Sequence, residues 1–378
     1  MFLFIGGRPE GSLKESVKLN DKFMKKISCI FASFLALVGM VSCNKNAAPA
    51  PVEKINVAVG ISAPGLTRAT GVTAQSGRND SADEAKVNTL DVFVFNGDVL
   101  DGHASGTSQE VTVSCTAGAR QIYAVVNNSA VSGITKLSDL LAVESVLAVS
   151  GDSPSNFQMI GHTTATLQAD GRVTIPVDRF AARVVIRKIT NGFDNDAQAA
   201  SFVLKSVYLT NATGKAMYGG SEVADQVWYN RRGYEASNNL GSYTYDAIAV
   251  ADGTVAKGAS YETAHFFYTM PNGFDAKVGL AAGETAFTPR AVRLLVRAEI
   301  GGELYNYPIA ITGIQSNKSY EINELVITRL GNKDDGRHDP DDPDDDDEER
   351  PIVGFDQGFT ITVNDWTVEL VNGGTITI

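Results

Sequence analysis

Ile55-Asn56-Val57-Ala58-Val59-Gly60-Ile61 places four β-branched side chains on one side of an extended chain and leaves Asn, Ala and Gly on the other. A period of two marks a strand with one face on a core and the other in water. Runs of the same kind recur along the chain, separated by Gly, Asn, Asp and Ser. With 36 glycines and 43% hydrophobic residues among 378, the composition is that of a globular, mainly β protein rather than a disordered one.

Outward from that strand, the N-terminal side reads as a targeting segment. Residues 1–23 lack export logic and read as a misassigned start ahead of a better one at Met24, where Met24-Lys25-Lys26 opens a short basic region. Ile27 to Val41 is apolar and too short to span a bilayer comfortably, so residues 24–42 read as a signal peptide. It ends at Val41-Ser42-Cys43, which resembles a bacterial lipobox with Met40 where Leu is usual; the resemblance implies lipid on Cys43. A tether from Asn44 to Glu53 leads into the strand. Cys29 lies in the signal and Cys43 would carry lipid, so Cys115 is left without an internal partner and is expected as a buried thiol at a strand end.

On the C-terminal side of the strand, Ala63 to Ala85 reads as a long exposed loop that contains Arg68 and Arg78. Val87 to Phe95 is expected as a central strand, and Val111–Cys115 with Gln121–Val126 as a hairpin about Ala117-Gly118. The spacing of Leu137, Leu140 and Leu141 predicts a helix from Thr135 to about Ala148, and Val173, Ile175 and Val177 close this region. A second β unit begins near Arg179. Its strands are expected over Ala182–Ile186, Phe202–Leu209, His265–Met270, Val292–Ile300, Tyr305–Ile311 and Tyr320–Ile327. Within Val292–Ile300, Arg293, Arg297 and Glu299 are expected on a wet face, and Met217 to Asp252 as long surface loops.

The last stretch is set apart. Asp334 to Glu349 holds 11 acidic residues in 16, with two prolines, and reads as an extended, self-repelling linker; its run Asp344–Glu349 does not read as a Ca²⁺ loop, since the glycine and alternating ligands of an EF-hand are missing there. Beyond it come two amphipathic halves, Phe359/Ile361/Val363 and Trp366/Val368/Leu370. An amphipathic strand on a charged leash suits pairing away from its immediate neighbours. If Ile55–Ile61 pairs in the first unit and the loop after it is cut, loss of that strand leaves a groove that this segment of another copy could fill, giving head-to-tail, non-closing assembly.

Catalytic chemistry has no signature here. His103, His162, His265 and His338 are isolated, and H-E-x-x-H, C-x-x-C, G-x-S-x-G and P-loop patterns are absent. No metal site and no cofactor is expected, and the chain reads as a non-enzyme. Beyond Arg68 the chain carries 23 basic and 40 acidic residues, a balance of −17 that argues against nucleic acid and against polybasic contact with anionic lipid.

This layout resembles the fimbrillin family, whose lipoprotein precursors are cut at an arginine and polymerise by donor-strand exchange. Gly65-Leu66-Thr67-Arg68-Ala69-Thr70-Gly71 is similar to the family's cleavage loop. Ser114-Cys115-Thr116-Ala117-Gly118-Ala119-Arg120, followed by Ala124–Asn128, resembles its Cys-x-Ala-Gly-x-Arg turn and the strand after it. Arg179–Arg183 resembles its entry into the second domain, and Asp365-Trp366-Thr367-Val368 its terminal strand. The resemblance implies two β-sandwich-like (transthyretin-like) domains in series with a C-terminal donor-strand segment. The divisions are a propeptide with removable first strand (43–68), domains over 69–178 and 179–330, an acidic linker (331–350) and the donor segment (351–378). It implies processing at Arg68 with Ala69 as the new N-terminus, Arg78 being the competing site. The removable strand carries Ile55, Val57, Val59 and Ile61; the donor carries Phe359, Ile361, Val363, Trp366, Val368 and Leu370. It also implies an arginine-specific protease, other fimbrial subunits as partners, an outer-membrane precursor held by lipid, and a shaft role supporting adhesion. The alternatives are a tip or anchor component, or a monomeric surface lipoprotein that stacks glycans on Trp228, Tyr229, Tyr234, Tyr243 and Tyr245.

Overall fold

The computed structural model describes residues 52–62, 82–128, 131–147, 154–229, 248–249, 253–273, 292–311, 313–334, 362–365 and 374–377. The first stretch of chain forms β1 (Lys54–Ser62), β2 (Leu90–Asn96), β3 (Val99–Gly106), β4 (Glu110–Thr116), β5 (Gly118–Val126), helix α1 (Leu137–Leu141), β6 (Glu144–Val146), β7 (Met159–Leu167), β8 (Arg172–Pro176) and β9 (Asp178–Arg179). Two layers result. One is three-stranded in the order β4-β1-β8; the other is five-stranded in the order β3-β2-β5-β7-β9. Val57, Val59, Val113, Cys115 and Ile175 from the first layer and Val92, Val94, Ile122 and Ala124 from the second are buried, as alternation requires of facing sheets. Gly161 on β7 lets the layers close at one corner, because a Cβ there would run into the Pro176 carbonyl oxygen at the end of β8.

Two local expectations are corrected. β4 and β5 are not a hairpin: β4 pairs β1, whereas β5 pairs β2 and β7. Both strands send apolar residues into the same core, so the chain must cross between layers at Ala117-Gly118 rather than fold back within one. Gly118 takes φ +110° to make that crossing. Of the helix foreseen over Thr135–Ala148, the described residues form α1 over Leu137–Leu141 and leave it at Ala142. It seats Leu140 in the core, after which Glu144–Val146 pairs antiparallel with Lys215–Met217. The available ladder takes the chain that leucine spacing alone assigns to helix.

The remaining chain gives β10 (Ala182–Ile186), β11 (Ile189–Asn191), helix α2 (Asp196–Ala200), β12 (Val203–Thr210), β13 (Ala212–Thr213), β14 (Lys215–Met217), β15 (Trp228–Tyr229), β16 (Ile248–Ala249), β17 (Ser260–Tyr261), β18 (His265–Thr269), β19 (Val292–Ile300), β20 (Glu303–Ile311), β21 (Lys318–Ile327), β22 (Asn332–Lys333), β23 (Thr362–Asp365) and β24 (Gly374–Thr377). One sheet runs β17-β11-β21-β10-β18 and a second β16-β12-β19-β20-β22. Val184, Ile186, Phe267 and Ile322 lie in one buried cluster with Leu204, Leu209, Leu294, Val296 and Ile309, and that cluster is continuous with the core between the first two layers. The protein is mainly β, with sandwich-like layering in both halves. Among the described residues no helix is long and apolar enough to cross a membrane.

Two further corrections concern this half. Arg293 is fully buried beside Leu295, so only Arg297 and Glu299, both half-buried, keep that face of β19 near water. Alternation reports which residues share a face but not what lies over it. Part of the stretch expected as surface loop, Trp228–Tyr229, is a buried strand paired with Ala212–Thr213.

Candidate functional site

β1 is held as the middle strand of its sheet. It runs antiparallel to β4, with Ile55 opposite Cys115, Val57 opposite Val113 and Val59 opposite Val111. It runs parallel to β8, with Val59 opposite Val173 and Ile61 opposite Ile175. Further backbone bonds fix the ends: Ala58 N–H donates to the Gly171 carbonyl at 2.9 Å, Ile61 N–H to Gln109 at 3.0 Å, and Val177 N–H to Ser62 at 3.0 Å. Val57, Val59 and Ile61 are buried and Ile55 is half-buried. Of the four predicted residues, three therefore sit fully in the core. Take β1 away, and β4 and β8 each lose a hydrogen-bonding partner along one edge.

The end of this slot nearest Lys54 is closed by a polar knot. Asp101 Oδ2 accepts from Thr116 N–H at 2.9 Å, Thr116 Oγ1 at 2.6 Å and Arg120 Nε at 2.9 Å. Arg120 also donates to the Ala117 and Ala119 carbonyls, so its guanidinium winds the β4–β5 crossing around itself. Burial pushes the Asp101 carboxyl up, yet the bonds from Thr116 and Arg120 outweigh it and leave it below the ordinary carboxylate range. Cys115 is a free, buried thiol on the slot wall, and burial, with the Asp101 charge adding to it, raises its pKa. Such a thiol is poorly nucleophilic while covered.

A second cluster of charge lies where strand pairing passes from β9 to β10. Glu84, in the short turn Ala82–Ala85 that follows the stretch with Arg68 and Arg78 in sequence, accepts from Arg183 at 3.0 Å and from the Tyr268 hydroxyl at 2.7 Å. Its backbone carbonyl accepts from Arg179 Nε at 2.9 Å. Arg183 and Arg187 also reach Glu321 on β21, at 3.2 and 2.8 Å. Burial pulls the Arg179 guanidinium down to about 10, with the Glu84 charge holding against it, so it stays protonated at neutral pH. No sequence pattern announces this network, because its members are spread over more than 230 positions. It pins the chain immediately after residues 63–81, the stretch in which the cut is expected.

At the other end, β23 pairs antiparallel with Lys318–Glu321 and β24 pairs parallel with Ile322–Val326, both along the same edge of β21. Val363 lies in β23 opposite Tyr320. Cys43, Arg68, Ala69, Phe359, Ile361, Trp366, Val368 and Leu370 lie outside the described residues.

Catalytic geometry is not assembled among the described residues. No group of three metal-ligating side chains comes together there. His103, Asp91 and Ser105 do meet, but Asp91 and Ser105 both approach the same nitrogen, Nε2, so no relay runs through the ring. His162 stacks on Tyr123, and His265 is buried against Tyr261 with its pKa pushed down to about 4 by desolvation. Trp228 and Tyr229 are buried, which removes them from any sugar-stacking surface; Tyr234, Tyr243 and Tyr245 lie outside the described residues.

The model of the family described as major fimbrial subunit protein (FimA) matches residues 54–177. That span opens on the first residue of β1 and closes just beyond β8, so it holds the whole slot. Over these residues, about a third of its length, the chain is similar to the fimbrillin family. No curated protein matches the chain. Among solved structures, a candidate cell adhesion protein from Bacteroides eggerthii is similar at 20% identity, covering 88% of this chain and all of that one, with a TM-score of 0.57. One from Parabacteroides distasonis is similar at 19% identity over 71% of this chain and 87% of that one, with a TM-score of 0.52. At these identities the likeness concerns the fold. The match over 54–177 supports a structural role in a cell-surface fimbrium, with other fimbrial subunits as partners.

Proposed function

We propose that this chain is a shaft subunit. In this reading it is exported as a lipoprotein on Cys43, cut after Arg68, relieved of β1, and joined to the next copy by that copy's C-terminal segment. The observation that carries the reading is the place of β1 in the middle of a three-stranded sheet, with its apolar side chains in the core; the sequence directly after it bears the arginines. A middle strand, once lost, leaves two bare edges and a row of empty apolar sites, which an extended segment of matching alternation can occupy. Phe359/Ile361/Val363 and Trp366/Val368/Leu370 both offer such an alternation.

The pairing of β23 and β24 with β21 adds a step to this scheme. The acidic linker does not keep the tail off its own domain; the tail rests on β21 and has to leave it before it reaches a neighbour. The scheme needs an arginine-specific protease and the outer membrane as anchor for the precursor, and neither a cofactor nor a catalytic site in the chain itself.

N-terminal sequencing of material sheared from cells tests the proposal. Ala69 is expected; Asn79 would move the cut to Arg78, and fibres that begin at a blocked Cys43 would overturn processing altogether. Arg68→Ala should leave a lipidated precursor outside the fibre, and deletion of Gly358–Ile378 should leave a folded monomer.

A further inference from the structure

The wet face of β1 carries only Asn56, Ala58 and Gly60 between its core residues, and the two smallest lie beneath an ion pair. Glu110 stands on β4 opposite Gly60, and Arg172 stands on β8 opposite Ala58. β4 and β8 do not pair with each other, since β1 separates them. Their side chains nonetheless meet across it, with Arg172 Nη2 2.5 Å from Glu110 Oε2. Gly60 is buried under this bridge, and a Cβ built on it would stand 3.3 Å from Glu110 Oε2. One methyl group is tolerated if the carboxylate gives a little. A longer or branched side chain must displace the carboxylate.

We infer that Glu110 and Arg172 form a clasp that distinguishes the strand to be removed from the strand to be received. The inference rests on the reading of β1 as a removable strand. Neither alternating half of the tail fits under the closed bridge. With Phe359, Ile361 and Val363 turned to the core, the outward residues between them are Thr360 and Thr362; with Trp366, Val368 and Leu370 turned in, they are Thr367 and Glu369. Each carries atoms beyond Cβ where β1 has Ala and Gly. The clasp therefore closes over β1 alone. It helps to keep that strand seated against competition from a tail, its own or a neighbour's, and it opens when a tail takes the place. Being largely exposed on the arginine side, it is a modest retention device: an exposed pair of this kind changes a rate or an equilibrium by about 1.4- to 5-fold.

The test uses the chain from Asn44 onward, cut in the loop after β1, with release of the 44–68 fragment followed by mass spectrometry. Glu110→Gln and Arg172→Gln should each speed release by about 1.4- to 5-fold, and the double variant by no more than either single one, because both changes open the same bridge. Gly60→Thr should speed release to a similar degree and leave Glu110→Gln without further effect. Release at the wild-type rate in both single variants, or fully additive effects in the double variant, overturns the clasp while leaving strand removal intact. If the fragment stays bound in every form, strand removal itself fails; the same double-variant cycle on the unfolding midpoint of the uncut chain then decides the clasp, and zero coupling there overturns it.

Discussion

Cys115 is a built-in reporter of whether β1 is seated. In a chain that starts at Asn44 it is the sole cysteine, fully buried on β4 opposite Ile55. To expose it by lifting β1, the protein must return Ile55, Val57, Val59 and Ile61 to water. At about 1.5–3 kcal/mol for each side chain, opening costs roughly 6–12 kcal/mol, an upper estimate because an unfolded strand is itself partly covered. At about 1.4 kcal/mol per factor of ten, even the lower figure corresponds to about four powers of ten of protection from a thiol reagent. Cutting after Arg68 turns β1 into a separate peptide that dilution can remove. Labelling of Cys115 under native conditions should then accelerate by orders of magnitude, helped by the fall of the thiol pKa once burial no longer raises it. A synthetic peptide spanning Gly358–Leu370 should restore protection by filling the slot. The assay is mass-resolved labelling of uncut protein, cut protein freed of its fragment, and cut protein with added peptide. Equal rates in the first two, with the fragment shown to be gone, would refute the claim that β1 covers this wall; a peptide without effect would refute the choice of donor.

Other consequences follow from the geometry away from the slot. Glu84→Ala strips the carboxylate from Arg183 and the acceptor from Tyr268, and loss of one partner of a buried pair should cost about 3–5 kcal/mol, seen as a lower denaturant midpoint; a loss below about 1 kcal/mol would show that Glu321 suffices for Arg183. His265 titrates near 4 in the folded chain against an ordinary 6.5, so the unfolded chain takes up the proton first as pH falls. Stability is then complete above about pH 6.5 and declines towards pH 4 by up to about 3 kcal/mol, and His265→Gln should flatten that part of the urea-midpoint profile. Gly161→Ala places a methyl group against the Pro176 carbonyl and should force the two layers apart, at about 1–3 kcal/mol or more in calorimetry; an unchanged midpoint would mean that β8 can shift freely.

Much of the first half could be read in advance because its strands are half-wet. Ile55–Ile61 alternates cleanly, and alternation fixes which side chains share a face. Layer assignment is a different quantity. Val113 and Ile122 look alike in sequence whether β4 and β5 pair or face each other, and only the shared core sets them in opposite layers. Arg293 misled for a related reason: a charged residue at an outward position reads as solvated unless the covering layer is known. The Glu84 cluster gave no local signal at all, since Glu84, Arg183, Tyr268 and Glu321 come from four distant stretches. Arg120, by contrast, was visible as part of a motif, and its hydrogen bonds to Asp101 and to the crossing supply the physical reason for an arginine two residues after the glycine.

The two places that the proposed exchange would use are joined by very little chain. β8 forms one wall of the slot; Val177 and β9 follow it, and then β10, which pairs in parallel with β21 from Arg183–Ser319 to Ile186–Ile322. β21 is the strand on whose free edge the tail rests, and it leads through β22 into the acidic linker. In a head-to-tail fibre, tension entering at the slot would run along β8 into β10, cross one ladder of hydrogen bonds, and leave through β21. Parallel strands pulled from opposite ends load that ladder in shear, so its bonds resist together rather than one after another. Arg179 and Arg183 sit on this path at the bend between β9 and β10, and Glu84 holds both. A joint made only of the two-residue connection at Phe180-Ala181 would hinge under load. Bridged by Glu84, whose backbone carbonyl accepts from Arg179 and whose carboxylate accepts from Arg183, the bend stays fixed, and the slot and the tail-bearing edge keep a constant relation whichever strand fills the slot.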